Sequence, residues 1–340
     1  MKRTALVRTT VGVVMILGIL GTMMDAFAGG RRKRQEATAM QPLSEKNSGA
    51  QAVAGDFRRD LSFGGDDRFY DVHVPASYRP GTPVPLVMVL HGGGGSPSAV
   101  RGITGMDRVS DQNGFIVIYP AGTGERARDS RLSWNILKSD TFATANNKDD
   151  LGFIRAVLKD VQAKYAIDTK RIYATGISQG GMMCYRFACD PDLSGRIAAI
   201  APVAAVMTVD PADCKPSRTM PIIHFHGLDD KFIPFEGGIG SRLERIDPVA
   251  RPGVPETMKF WLARNKVGDR PRDQGRRGDA GFQDFGREGE PGEVILWKLD
   301  GAGHTWPGGD SGLPEMFIGR VNRDISASEI IWKFFTRHSL

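Results

Sequence analysis

Cysteine is scarce in this chain. Cys184, Cys189 and Cys214 are the only three among 340 residues, and no two form a Cys-x-x-Cys pair. That spacing gives no support to a zinc site, and at most one internal disulfide can form, leaving one thiol over. Long apolar runs are missing as well. The N-terminal run over residues 11–20 is half the roughly 20 residues that a membrane-spanning helix needs. The body also lacks a surplus of either charge. Residues 1–50 hold eight Lys/Arg against three Asp/Glu, and the rest of the chain holds 37 against 36. The formal net charge of +6 therefore describes a tail, and gives no ground for a nucleic-acid-binding surface. Finally, the glycine run at 92–95 is not followed by Lys-Ser/Thr, which excludes a P-loop.

What is present begins with an export pattern. Lys2, Arg3 and Arg8 precede the apolar run, and Ala26-Phe27-Ala28 is a small-x-small cleavage site. Residues 1–28 are expected to be a signal peptide, cut after Ala28, and the mature protein to be secreted or periplasmic. The alternative is an uncleaved N-terminal anchor. No cysteine lies near the site, so a lipoprotein is not supported, and no stable membrane anchor is expected after cleavage. Residues 29–55 are polar, basic and without apolar periodicity, the composition of a flexible arm. No internal repeat or dividing linker interrupts residues 56–340, which are expected to form one catalytic domain. Nothing in the sequence speaks to oligomeric state.

Within that domain, "VPLVMVL", "GFIVIYP", "RIYATGI", "IAAIAPVAAV" and "MPIIHFH" are short runs apolar on both faces. Each ends in small or polar residues, the form of buried parallel strands. "RFYDVHVP" alternates instead, with Asp71 and His73 opposite Tyr70, Val72 and Val74, and predicts a half-buried strand near a sheet edge. Helical spacing of Leu151, Ile154, Val157, Leu158 and Val161, and of Ile330, Ile331, Phe334 and Phe335, predicts amphipathic helices between and after the strands. Alternating strands and helices imply an α/β fold with a mostly parallel sheet covered on both faces. Residues 265–293 break the rhythm, being charged and glycine-rich. They are expected to be a surface excursion with at most one weak strand.

Gly176-Ile177-Ser178-Gln179-Gly180 fits G-x-S-x-G, with a strand-like run before it and a helix-capable run after it. That context makes Ser178 a candidate nucleophile on a tight strand-to-helix bend. A serine hydroxyl needs a base to take its proton during attack. Of six histidines, only His304 combines a loop after a late strand with a position beyond both nucleophile and acid. The acid is Asp229 or Asp230, directly after the strand "PIIHFH", and spacing alone does not choose between them. The order Ser, Asp, His is that of an α/β-hydrolase triad. The backbone amide of Gln179 supplies one oxyanion donor, and the second falls in the glycine run that follows His91.

"LHGGGGS", "GISQGGMM", "HGLDDKFIPFEGG" and "GAGHTWPGG", in that order, resemble the secreted α/β-hydrolase family of poly(3-hydroxybutyrate) depolymerase-like and feruloyl-esterase-like enzymes, over roughly residues 60–340. The resemblance implies an α/β-hydrolase fold, a serine esterase mechanism and no cofactor or metal. It implies Asp230 as the acid, His304 as the base and Gly93 as the second oxyanion amide. Trp306 becomes a candidate pocket wall, and Trp134, at the Trp-Asn pair, a neighbour of the entrance. It also implies a disulfide between Cys189 and Cys214, with Cys184 a packing thiol. One departure stands out: the Gly-Cys-Cys-Gly-type segment that many relatives carry after Trp-Asn is replaced here by "ILKSDTFATANNKDD".

The expected substrate is thus an ester: a polyester, an oligoester or an ester linked to polysaccharide. The leading reading is a depolymerase-like carboxylic-ester hydrolase, with a feruloyl or acetyl esterase on plant polysaccharide as the alternative. Two readings of other classes stand beside it. One is a secreted binding protein that keeps the fold without catalysis; the other is a metal-dependent hydrolase built on His224 and His226.

Overall fold

The computed structural model describes residues 41–42, 53–125, 130–311 and 313–340. The expected signal peptide and nearly all of the expected arm lie outside these residues. In chain order the strands are β1 (Gln41–Pro42), β2 (Gly55–Phe63), β3 (Asp66–Val74), β4 (Val84–Leu90), β5 (Ile116–Pro120), β6 (Ile167–Ile177), β7 (Ala199–Val203), β8 (Ile222–Gly227), β9 (Asp273–Arg277), β10 (Ala280–Asp284) and β11 (Val294–Leu299). They form one sheet in the order β1-β2-β3-β5-β4-β6-β7-β8-β11-β10-β9. The six central strands, β5 to β11, run parallel, and antiparallel pairs flank them on both sides.

The helices are α1 (Pro97–Thr104), α2 (Met106–Asn113), α3 (Phe142–Ala145), α4 (Asp150–Lys164), α5 (Gln179–Cys189), α6 (Val254–Asn265), α7 (Glu315–Ile318) and α8 (Ala327–Phe335). Their starts follow local chemistry. Ser96 accepts from the Ala99 amide ahead of Pro97, Asp149 accepts from Gly152, and Ser326 from Glu329, which satisfies donors that a helix start leaves open. Helices α4, α5 and α6 bury their apolar stripes on one face of the sheet, and α1, α2 and α8 on the other. Strand β4 shows why its run is apolar throughout: Leu86, Met88 and Leu90 join the first core, Val87 and Val89 the second.

Two expectations from sequence are corrected. Strand β3 lies near an edge as expected, third from one end of the sheet, but it is not half-buried: both of its faces are covered. Its polar residues are paired rather than wet: Asp71 receives Arg58 Nε at 2.8 Å, and His73 lies 2.8 Å from Asp56 Oδ1 and 3.1 Å from Asp111 Oδ1. Residues 265–293 hold two strands, not one at most. β9 and β10 form an antiparallel hairpin that continues the sheet beyond β11. As an edge ribbon it carries exposed Asp273, Arg276 and Arg277, so no apolar alternation betrays it. Gln41–Pro42, within the expected arm, pairs parallel with Phe57–Arg58.

Cys189 is bonded to Cys214, tying the end of α5 to the segment before β8. Cys184 is free and buried, and burial pushes its thiol well above the ordinary range.

Candidate active site

Ser178 is the single residue between β6 and α5, at φ 57° and ψ −123°. A non-glycine residue at positive φ stores roughly 1–3 kcal/mol of strain. Here the surroundings hold it, because Ser178 N donates to Val203 O and Met182 N donates to Ser178 O, both at 2.9 Å. The neighbouring glycines are steric necessities. A Cβ on Gly180 would lie 2.2 Å from Leu90 O, and one on Gly176 would lie 2.7 Å from the same atom. The bend therefore closes only with bare backbone at these positions, leaving the Ser178 side chain partly exposed.

Asp230 follows β8 by three residues and is almost fully buried. Its Oδ1 accepts from Phe232 N at 2.8 Å and Ile233 N at 2.9 Å, and its Oδ2 lies 2.7 Å from His304 Nδ1. Asp229, by contrast, is exposed. Burial pushes the Asp230 carboxyl up, but the His304 imidazole and the Ile233 amide outweigh it, so the group sits below the ordinary carboxylate range. A carboxylate that stays ionised on Nδ1 fixes the proton there and leaves Nε2 free to act as a base. His304 itself hangs from the loop after β11, anchored by His304 N on Ile318 O at 2.7 Å and by Gly303 N on Arg320 O at 3.0 Å. No hydrogen bond joins Ser178 to His304 among the described residues. Both stand beyond the C-terminal ends of strands in the same parallel block, where such sheets bind ligands.

The glycine loop after β4 lies against the elbow. A Cβ on Gly92 would be 3.3 Å from Ser178 Cβ, and one on Gly93 would be 2.7 Å from Gln179 Cδ. Gly94 N is given to Leu132 O and Gly95 N to Gly92 O. Gly93 N makes no such bond among the described residues, and the Gln179 amide, in the first turn of α5, has no intrahelical acceptor. Two unspent donors beside a serine hydroxyl can take up the charge of a tetrahedral oxyanion.

Residues 79–243 match the phospholipase/carboxylesterase family. That stretch holds Gly93, Ser178, Gln179 and Asp230, while His304 lies beyond it. The chain is 27% identical over 288 residues to NocK of Nocardia uniformis subsp. tsuyamanensis, a protein named as an esterase, covering 80% of each. It is 29% identical over 245 residues to feruloyl esterase B of Piromyces equi, covering 71% of this chain and 43% of that one. The fold is shared with the acetyl xylan esterase of Aspergillus awamori, at a TM-score of 0.52 and 18% identity, over 73% of this chain and 94% of that one. The chain has the α/β-hydrolase fold, and the relatives that it matches are named as esterases.

Several residues of this α/β-hydrolase sit differently from the sequence reading. Trp134 and Trp306 line no entrance. Trp134 is fully buried behind the glycine loop, where its Nε1 donates to His91 O at 2.9 Å. Trp306 is buried too, its Nε1 donating to Ser328 Oγ at 3.0 Å, and Ser328 in turn donates to Thr104 O. Each indole found its partner inside the protein, which an aromatic in a pocket wall would leave to substrate or water. Nor do His224 and His226 offer metal ligands. Both are fully buried, and every ring nitrogen is engaged: Tyr185 Oη to His224 Nδ1 at 2.8 Å, His224 Nε2 to His226 Nδ1 at 3.1 Å, and His226 Nε2 to Ile233 O at 2.8 Å. Asp56, His73 and Asp107 form the one cluster of potential ligands among the described residues, but Arg101 already pairs with both carboxylates.

Two contributions escaped the sequence reading. His91 is a scaffold, with Nδ1 2.8 Å from Gly92 O and Nε2 accepting from Gly122 N at 3.0 Å. Burial pushes it down to about 4, so the ring stays neutral in that role. The Gln179 side chain braces the loop from the other side, its Oε1 accepting from Trp134 N at 3.1 Å. The signal for both was position alone, one residue before the glycines and one after the serine.

Proposed function

We propose that the protein is an exported serine carboxylic-ester hydrolase working through an acyl-enzyme on Ser178. The 2.7 Å contact of Asp230 with His304 Nδ1 carries the reading, because it fixes the proton on Nδ1 and leaves Nε2 free as the base. Ser178 Oγ attacks the ester carbonyl as its proton passes to His304 Nε2. The amides of Gly93 and Gln179 receive the oxyanion. As the tetrahedral adduct collapses, the C–O bond to the alcohol breaks and His304 returns the proton to the leaving oxygen. Water then adds to the acyl-serine through the same base, releasing the acid and restoring the Ser178 hydroxyl. No metal or cofactor takes part in this scheme.

The substrate class we favour is an acyl or aryl ester borne on polysaccharide, since feruloyl esterase B matches over 71% of this chain. The polyhydroxybutyrate depolymerase-like reading has its own support in the four ordered motifs, and a polyester assay decides between them. Hydrolysis of a short aryl ester, wild type against Ser178→Ala and each with and without EDTA, tests the mechanism. Activity lost in the alanine variant and indifferent to EDTA is the expected result. Activity that survives the alanine overturns the scheme. Release of ferulate or acetate from xylan, set against soluble products from polyhydroxybutyrate, then assigns the substrate.

A further inference from the structure

Behind the catalytic acid runs a row of three buried polar side chains that the scheme above does not use. Tyr185 lies on α5, and His224 and His226 face the same side of β8; all three are fully buried. Aromatic and aliphatic side chains would fill this volume without the cost of desolvating a hydroxyl and two imidazoles. The rings are stacked in register, His224 on His226 with centroids 5.3 Å apart and planes 6° from parallel.

The direction of every hydrogen bond in the row is determined from one end. The Ile233 carbonyl can only accept, so His226 carries its proton on Nε2. Burial drives the His226 imidazole below its ordinary range, so the ring is neutral and its Nδ1 must accept. His224 therefore donates from Nε2 and accepts on Nδ1, where the Tyr185 hydroxyl is the donor. Reversing any link would strand a buried donor or acceptor.

The row ends on the turn that carries the acid. Asp230 Oδ1 already holds the amides of Phe232 and Ile233, and His226 takes the carbonyl of that same Ile233. His226 Nε2 is also 3.6 Å from Asp230 Oδ2, the oxygen that meets His304. The residue 230–233 turn is thus pinned to a central strand through an imidazole as well as through the Asp230 N–H, which donates to Gly227 O at 3.3 Å.

We propose that Tyr185, His224 and His226 are positioning residues, a proton-ordered chain that sets the placement of the Asp230 carboxylate against His304. The proposal rests on the serine-triad reading above. It differs from packing in its consequence. Losing the chain should impair the chemical step and the base, and not substrate binding.

The test measures kcat, KM, the pH profile of kcat/KM and thermal stability on a soluble aryl ester for His226→Leu, His226→Gln and Tyr185→Phe. Ser178→Ala and Asp230→Asn run in parallel. His226→Leu is expected to lower kcat by about tenfold or more with KM within about twofold. Its acidic limb should move to lower pH, because a carboxylate no longer held on Nδ1 supports the imidazolium less. His226→Gln keeps an N–H donor and should recover most of kcat. Tyr185→Phe, which keeps the ring and loses only the terminal donor, should fall between. Unaltered kcat and acidic limb in folded His226→Leu and Tyr185→Phe, with stability alone reduced, overturn the proposal. If His226→Leu does not fold, Tyr185→Phe decides. Full activity in Ser178→Ala and Asp230→Asn would instead sink the triad reading itself.

Discussion

The carboxamide of Gln179 rests against the backbone of Gly93, so closely that a methyl group on Gly93 would stand 2.7 Å from Gln179 Cδ. The carboxamide cannot simply swing aside, because its oxygen accepts the Trp134 N–H. Gly93→Ala should therefore push the glycine loop away from the elbow and misdirect the Gly93 amide. Loss of one oxyanion donor costs about 10²–10³ in kcat, and a displaced donor should cost about ten- to hundredfold. Steady-state kinetics on an aryl ester check this, with KM expected to change little and the fold to survive.

Ser178 illustrates strain held for function. Glycine adopts its backbone angles without penalty, so Ser178→Gly should abolish hydrolysis while raising stability by about 1 kcal/mol. The gain is smaller than the strain because glycine also frees the unfolded chain. Urea denaturation of the two proteins, alongside an ester assay, gives both numbers. A destabilised glycine variant would mean that the elbow is not strained.

The stability of the protein should carry a pH signature from His73. Burial lowers this imidazole, but the Asp56 hydrogen bond and the Asp107 and Asp111 carboxylates outweigh it, and its pKa is raised. A raised folded pKa gives stability that is complete below the unfolded value, about 6.5, and lost as pH rises through the folded value. Its partner Asp56 is pushed up by burial and pulled further down by His73 and Arg101, so its contribution instead fades in acid. Denaturation midpoints should decline from pH 6.5 upward, and His73→Gln should flatten that decline. A slope that persists in the variant assigns it to other groups.

The Cys189–Cys214 bond closes a loop with a sequence separation of 25. Replacing both cysteines by serine should cost about 2–4 kcal/mol of stability. Activity should persist at permissive temperature, since Cys189 is at the far end of α5 from Ser178. Scanning calorimetry and an ester assay on the double variant test the two halves of that statement separately.

How far the sequence reveals this molecule depends on which physical rule each segment obeys. The parallel strands were legible because both faces are covered, which forces runs such as 84–90 to be apolar throughout. The elbow was legible because Gly176 and Gly180 answer to close backbone, that of Leu90 above all, which no side chain can replace. Asp230 and Asp229 looked equivalent in spacing, and only the turn that aims one inward separates them. Strand β3 misled because Asp71 and His73 are buried as partners of Arg58, Asp56 and Asp111, and those partners are 17 or more residues away or were not read as a strand at all. The β9–β10 hairpin was hidden because its outer strand β9 is exposed along nearly its whole length and shows no alternation. Trp134 and Trp306 were read as pocket residues from their neighbours in sequence, whereas the acceptors that hold them, His91 O and Ser328 Oγ, are visible only in three dimensions.

Ser178 follows β6, Asp230 follows β8 and His304 follows β11, and these strands belong to one uninterrupted parallel block. There is accordingly no joint across which the three could drift apart while the sheet is intact. Heating should extinguish turnover and tertiary structure over the same few degrees, so for this protein residual activity can serve as a thermometer of the fold.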